Sequence, residues 1–354
     1  MKAELLLLPG DGIGPEVIEQ ARLILETIAI EHNHEFNFSE QLIGGCAIDA
    51  VGDPFPGDTL AACLNADAIL LGAVGGPKWD DPLASVRPEQ GLLRLRKELG
   101  LYANLRPVRP FPELEHTSSL KADRIENVDI MIVRELTGGI YFGQPSFREE
   151  VEGRRRAIDT LEYSEDEIVR ILRKAFQIAR ERRGKVTSVD KANVLETSRL
   201  WRQLAQETAQ EFPDVILEHQ LVDSAAMRLI QAADTFDVLV TGNMFGDILS
   251  DEASVLVGSL GALPSASIGD GRRGVYEPVH GSAPDIAEKN IANPIGAILS
   301  AAMLLRYSLK LEDEAQKIEK AVEIAIAGGA RTADLIMGPA LSTGEMGDAI
   351  RAHL

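Results

Sequence analysis

Short apolar runs bounded by turns recur along this chain and alternate with stretches of helical period. The runs fall at 3–8, 67–73 (DAILLGA), 128–133 (VDIMIV), 185–189, 215–218 and 236–241 (FDVLVT). Amphipathic stretches lie at 164–183, 196–211, 224–232 and 313–327, and a helix is expected from Pro15 to about Ile30. Strands that alternate with helices imply a largely parallel sheet covered by those helices. With 354 residues, two domains are expected. The Pro-rich stretch 106–112 (RPVRPFP) reads as a crossing between them. Residues 143–163, rich in Arg and Glu with no clear period, read as a loop or as an arm that needs a partner to order it.

Charge narrows the functions open to such a fold. The formal charge is −19. Nucleic-acid binding works by neutralising phosphates with Lys and Arg, so a nucleic acid is excluded as partner. An anionic membrane surface is disfavoured for the same reason. The apolar run 294–305 fits a buried helix better than a membrane span. Two cysteines, Cys46 and Cys63, make no disulfide framework and point to a reduced, cytoplasmic setting.

The turn PGDGIGP at 9–15 invites a dinucleotide-binding reading, but the fingerprint is G-x-G-x-x-G. Here Gly10, Gly12 and Gly14 are followed by Pro15, so the third glycine is missing from its slot. A tight turn before a helix is the simpler expectation, with a role in shaping a cleft left open.

Two clusters carry chemistry. In FDVLVTGNMFGDILSDE (236–252) a strand runs into Gly242-Asn243 and then a helix, so Asp247 and Asp251 share one helix face. Asp223 offers a third carboxylate at a similar strand-to-helix change. Oxygen ligands suit Mg²⁺ or Mn²⁺, and nearby His and Cys are too few to favour zinc. Helix-start aspartates stabilised by the dipole are the structural alternative. The second cluster is basic: Arg94, Arg96, Arg106, Arg109 and Arg134 crowd 94–134 of an acidic protein. Arginine suits bidentate carboxylate capture. If 89–98 is helical, Glu89, Leu92, Leu93 and Arg96 form one face, an apolar patch beside a guanidinium.

Several segments together resemble the isocitrate/isopropylmalate family of decarboxylating dehydrogenases. They are LLPGDGIGPE, GGPKWDDP (75–82), GLLRLRKELGLYANLRPV (91–108), RELTGGIYFG (134–143), VDKANVLETSRLWR (189–202), TGNMFGDILSDEAS (241–254) and VYEPVHGSAPDIAEKNIANPIGAILS (275–300). The resemblance runs the whole chain. It implies two α/β domains sharing a mixed sheet, not an ordinary Rossmann fold. The first domain is discontinuous, 1–101 and 258–354, and carries the NAD site. The second, 102–257, carries the metal ligands, the dimer interface and the 143–163 arm.

The resemblance also implies roles. Arg96, Arg106 and Arg134 hold the carboxylates of a malate core. Asp223, Asp247 and Asp251 hold Mg²⁺ or Mn²⁺, with Asp223 beside the substrate as well. Tyr141 is the general acid and Lys191 helps remove the hydroxyl proton. Lys191 and Asp223 reach the site from the other subunit of a homodimer. The dinucleotide site corresponds to His280, Gly281, Ser282, Ala283, Pro284, Asp285, Ile286 and Asn293, with Gly76 and Glu89 from the 76–89 loop. A carboxylate at Asp285 accepts hydrogen bonds from ribose hydroxyls and repels a 2′-phosphate, so NAD is expected over NADP. Leu92 and Leu93 suit an isopropyl group and leave a third carboxylate unpaired. Glu89 repels that carboxylate. A D-malate or tartrate dehydrogenase of the same family is the sister alternative.

Overall fold

A computed structural model of the chain describes residues 1–81 and 84–354. Pro82 and Leu83, which belong to the expected 76–89 cofactor loop, lie outside the described residues. The chain divides into two compact units. The first comprises Met1–Leu101, Pro110–Ser119 and Val257–Leu354, and the second Tyr102–Arg109 and Leu120–Leu256. Residues 110–119 therefore belong with the first unit, although the sequence places them in the second.

Unit 1 is built on β1 (Lys2–Gly10), β2 (Glu35–Glu40), β3 (Ala68–Ala73), β11 (Pro264–Ile268) and β12 (Gly274–Pro278), in the order β2-β1-β3-β12-β11. β1 runs parallel to β2 and β3, and β3 parallel to β12. β11 is antiparallel to β12. Every residue of β3 is buried, which explains its unbroken apolar run. The expected buried helix is present as Ile295–Leu304, with Ile295, Ile298, Ala301 and Leu304 fully enclosed. Each such Ile or Leu contributes roughly 1.5–3 kcal/mol by leaving water.

Unit 2 is built on β4 (Ala103–Val108), β5 (Ile130–Glu135), β8 (Lys185–Asp190), β9 (Ile216–Leu221) and β10 (Val238–Thr241), in the order β4-β5-β10-β8-β9. All its pairings are parallel except β4 with β5. β4 lies in the stretch that reads as a crossing. Pro107 sits inside the strand opposite Met131, and the boundary between units falls just beyond, at 109/110.

The 143–163 segment has regular structure within the chain, which a loop reading does not anticipate. It forms a two-stranded hairpin, β6 (Phe147–Val151) and β7 (Arg154–Ile158), paired within one chain. Its turn places Glu152 and Gly153 both at positive φ, a geometry whose twist suits adjacent strands. The strands are mostly exposed, so no buried face imposes an alternation. Glu149 instead meets Arg156 across the pair.

The glycine turn is not a dinucleotide fingerprint. It links β1 to the helix Gly14–Glu31, with Pro15 in that helix's first turn. Gly12 has φ +58°, and a Cβ there would lie 1.9 Å from the carbonyl oxygen of Ser282. Only glycine fits at that approach.

Candidate active site

In unit 2 the sheet order gathers a charged cluster. Arg134 on β5 pairs with Thr241 of β10. The helix Asn243–Val257 begins two residues later, so Asn243 arrives beside Arg134. Asn243 Oδ1 accepts from both Nε and Nη2 of Arg134, at 3.0 and 2.9 Å. The remaining nitrogen, Nη1, donates to Asp247. Arg134 is only 5% exposed, so these contacts fix its guanidinium. Arg106 on β4 donates to Asn104 Oδ1 at 2.9 Å, Ser250 Oγ at 2.7 Å and Asp251 Oδ1 at 3.0 Å.

Tyr141 follows β5 in the short turn Gly139–Tyr141, and its hydroxyl donates to Asp247 Oδ2 at 3.0 Å. Partial burial and the negative charge of Asp247 push its phenol above the ordinary value. The hydroxyl therefore keeps its proton at neutral pH, as a proton donor must. Tyr163 is a half-buried support. Its hydroxyl accepts from the Asn243 backbone N–H at 2.7 Å.

Lys191 and Asp223 form a separate pair. Asp190, the last residue of β8, pairs with Leu221, the last of β9. Lys191 and the helix Val222–Gln231 start from those two ends. The Lys191 ammonium donates to Asp223 Oδ1 and holds that carboxyl below the usual range. Among the described residues no group of three or more His, Cys, Asp or Glu is placed to hold a metal. Within one chain the three expected metal aspartates therefore stand as Asp247 with Asp251, and Asp223 apart with Lys191.

In unit 1 the helix Pro88–Glu98 carries Glu89, Leu92, Leu93 and Arg96. Leu92 packs against the core cluster of Leu6, Leu8, Phe55 and Leu95, while Leu93 is half-buried and Glu89 exposed. Arg96 is buried, with Nη2 2.9 Å from Glu277 and Nε buried without a partner. Arg94 leaves the basic cluster: it binds Asp53 and the Phe55 carbonyl and lies over the Phe55 ring. Arg109 is exposed.

Residues 280–293 form no strand or helix longer than a turn. His280 donates or accepts through Nδ1 at the Gly281 carbonyl, and its Nε2 is buried without a partner. Burial pushes its pKa down, so the ring is neutral near pH 7. Ser282 is buried, Ala283 has φ +39°, and Gly281, Pro284 and Asp285 are exposed. Ile286 is half-buried, as is Gly76. Asn293 is engaged structurally: its Oδ1 accepts from the Ile295 N–H and its Nδ2 donates to Asp334. The unpartnered His280 nitrogen and the exposed Asp285 carboxylate are polar groups of this stretch that fit a hydroxyl-bearing ligand.

The sequence alone misses Asn104, Tyr163, Asn243, Ser250 and Glu277. Asn243 carries a usable signal, as a polar side chain at a strand-to-helix change four residues before Asp247. Glu277 and Tyr163 carry none, because their partners are distant in sequence.

The description "Isocitrate/isopropylmalate dehydrogenase" matches residues 4–350. The chain belongs to this family. Among relatives, the 3-isopropylmalate dehydrogenase of Anaeromyxobacter dehalogenans is 60% identical over the whole of both chains. That of Bacillus subtilis is 62% identical, covering 95% of this chain and 92% of the relative. Among solved structures, isocitrate dehydrogenase from Methylococcus capsulatus superposes with a TM-score of 0.88 at 35% identity, over 99% of each chain. The shared fold therefore includes members named for different substrates, and substrate choice within the family rests on side chains.

Proposed function

We propose that this chain oxidises 3-isopropylmalate with NAD and decarboxylates the product to 4-methyl-2-oxopentanoate, a step of leucine biosynthesis. The observation that carries the reading is the cluster of Arg106, Arg134, Tyr141, Asp247 and Asp251, gathered in unit 2 from β4, β5, the turn after β5 and the helix Asn243–Val257. The names of relatives about 60% identical to this chain favour isopropylmalate over D-malate or tartrate.

Each residue has a task its surroundings support. Arg96, Arg106 and Arg134 bind the malate carboxylates, and the orphaned Nε of Arg96 leaves a donor free for one. Lys191 would help remove the hydroxyl proton as hydride passes to NAD, acting as the neutral amine rather than as the ammonium that pairs with Asp223 here. Tyr141, kept protonated by burial and Asp247, returns a proton to the substrate carbon after carbon dioxide departs. Asp247 and Asp251 offer oxygen donors one helical turn apart, and with Asp223 of a second copy they would hold Mg²⁺ or Mn²⁺. Such a cation supplies Lewis-acid polarisation of the substrate oxygen. Leu92 and Leu93 select the isopropyl group, and Asp285 selects NAD.

A homodimer follows from the same reading. Asp223 lies one turn before Met227, and Asp251 lies between Ile248 and Val255 on one face of its helix. Met227 and Ile248 are 59% and 58% exposed. Apolar side chains flanking each carboxylate favour burial of these faces against another copy. No helix among the described residues is long and apolar enough to cross a membrane.

The test follows NADH absorbance with purified protein, Mn²⁺ and NAD, comparing 3-isopropylmalate, D-malate and isocitrate. Preference for 3-isopropylmalate, abolished by a chelator, is expected. Preference for D-malate would discard the role of Leu92 and Leu93, and failure to turn over any of the three would discard the reading.

A further inference from the structure

We propose that the PGDGIGP turn is the anchor that sets both segments of the dinucleotide site, with Asp11 as a positioning residue. The inference rests on the dinucleotide reading of residues 280–293 and the loop after Gly75.

Asp11 is 5% exposed. Its carboxylate accepts three backbone N–H groups: Gly45 at 2.7 Å and Gly75 at 2.8 Å on Oδ2, and Cys46 at 2.7 Å on Oδ1. A buried carboxylate is costly unless its oxygens are satisfied, and here main-chain donors at the start of the helix Gly45–Val51 and in the loop at Gly75 satisfy it. That loop leads directly into Gly76 and Trp79. The Trp79 ring occupies the space a Gly45 side chain would fill, since a Cβ there would lie 2.3 Å from the indole. The loop is thus fixed at Gly75 by the carboxylate and at Trp79 by the notch above the same amides.

The next residues of the turn hold the other segment. Ile13 N–H donates to the Ser282 carbonyl at 2.8 Å, and Gly12 packs against that same carbonyl. One heptapeptide therefore sets the backbone of 75–79 on one side and of 280–283 on the other. Its glycines permit close backbone contact, and its aspartate binds amides of the protein itself. The resemblance to a phosphate-binding turn is thus misleading about direct contact.

The test uses Asp11→Asn and Gly12→Ala in the full-length protein. An amide in place of the carboxylate loses an acceptor and sets an NH₂ against a backbone donor. Two measurements are made: hydrogen–deuterium exchange without NAD, and NADH affinity by fluorescence titration. For Asp11→Asn, faster exchange confined to 44–46, 75–79 and 280–285 is expected, with NADH bound about tenfold more weakly. KM for 3-isopropylmalate should stay unchanged, which a disturbance reaching the substrate site would not leave; a general loss of folded protein would instead raise exchange throughout the chain. Gly12→Ala should raise exchange at 280–285 and weaken NADH while sparing 75–79; this arm decides the matter if Asp11→Asn does not fold. Unaltered exchange and NADH affinity in the folded variants would overturn the proposal. Failure of the unmodified protein to bind NADH would instead overturn the dinucleotide reading, and exchange alone would still test the anchor.

Discussion

The ion-paired cluster of unit 2 and the Asp11 turn of unit 1 are held together by opposite means. In unit 2, charges hold charges: Arg134 and Arg106 are tied to Asp247 and Asp251, and Lys191 to Asp223. In unit 1, the turn around Asp11 works through uncharged backbone N–H groups, and its close contacts are made by glycines. The difference teaches where residue type reveals function. An arginine in an acidic protein announces an anion or a carboxylate partner. A carboxylate that binds main-chain amides announces nothing, because its partners have no side-chain identity.

The largest effect should come from the charged side. Tyr141→Phe removes the proton donor while sparing the ring above which Arg134 lies. A fall in kcat by roughly 10²–10⁴ is expected, with KM for NAD unchanged. Steady-state kinetics with each substrate varied in turn would check it. A change confined to KM would remove Tyr141 from the chemistry and reduce it to a contact.

That division also explains what was legible beforehand. The apolar runs of β1, β3, β5, β8 and β10 are visible because those strands are buried on both faces. Asp247 and Asp251 are visible because a four-residue spacing on a helix needs no tertiary knowledge. The hairpin of β6 and β7 is invisible because exposed strands carry no alternation, although Gly153 marks its turn. β4 is hidden by Pro107. Glu277 is hidden for a different reason: it meets Arg96 across 181 positions of sequence. Arg94 misleads, since its count as a cation says nothing of Asp53, which claims it.

A second substitution asks whether the arginine needs its support. Asn243→Ala deletes the oxygen that accepts twice from Arg134. Hydrogen bonds to a charged group are worth about 1.5–3 kcal/mol, so KM for 3-isopropylmalate should rise roughly 10–100-fold. KM for NAD should not move, and Asn243→Asp should restore part of the loss. The comparison between units would collapse if Asn243→Ala weakened NAD instead.

A smaller effect is expected from the cation. If Asp247 and Asp251 hold Mn²⁺, saturating metal should raise Tm by a few degrees. Asp251→Asn should abolish most of that rise. An equal rise in the variant would place the metal elsewhere, and the unit 2 cluster would then be an ion-pair network alone.

The smallest effect separates charge-held from amide-held structure by pH and salt. Glu218 on β9 is pushed up by partial burial, but hydrogen bonds from Lys185, Arg228 and Gln220 outweigh this and hold it at about 2. A carboxyl lowered on folding stabilises above its unfolded value and loses that contribution as pH falls through the folded value. The window therefore runs from about 4.5, the ordinary value, down to about 2. The full shift corresponds to about 3 kcal/mol, and screening at a partly exposed site reduces it to on the order of 1 kcal/mol. Glu218→Gln should lower stability near pH 7 by that amount, measured by urea unfolding. The gap from the unmodified protein should close as the pH approaches 2 and shrink in high salt. For Asp11→Asn the corresponding gap should persist in high salt, because short bonds to buried amides lie beyond the reach of mobile ions. Equal salt sensitivity in the two variants would erase the distinction between the units.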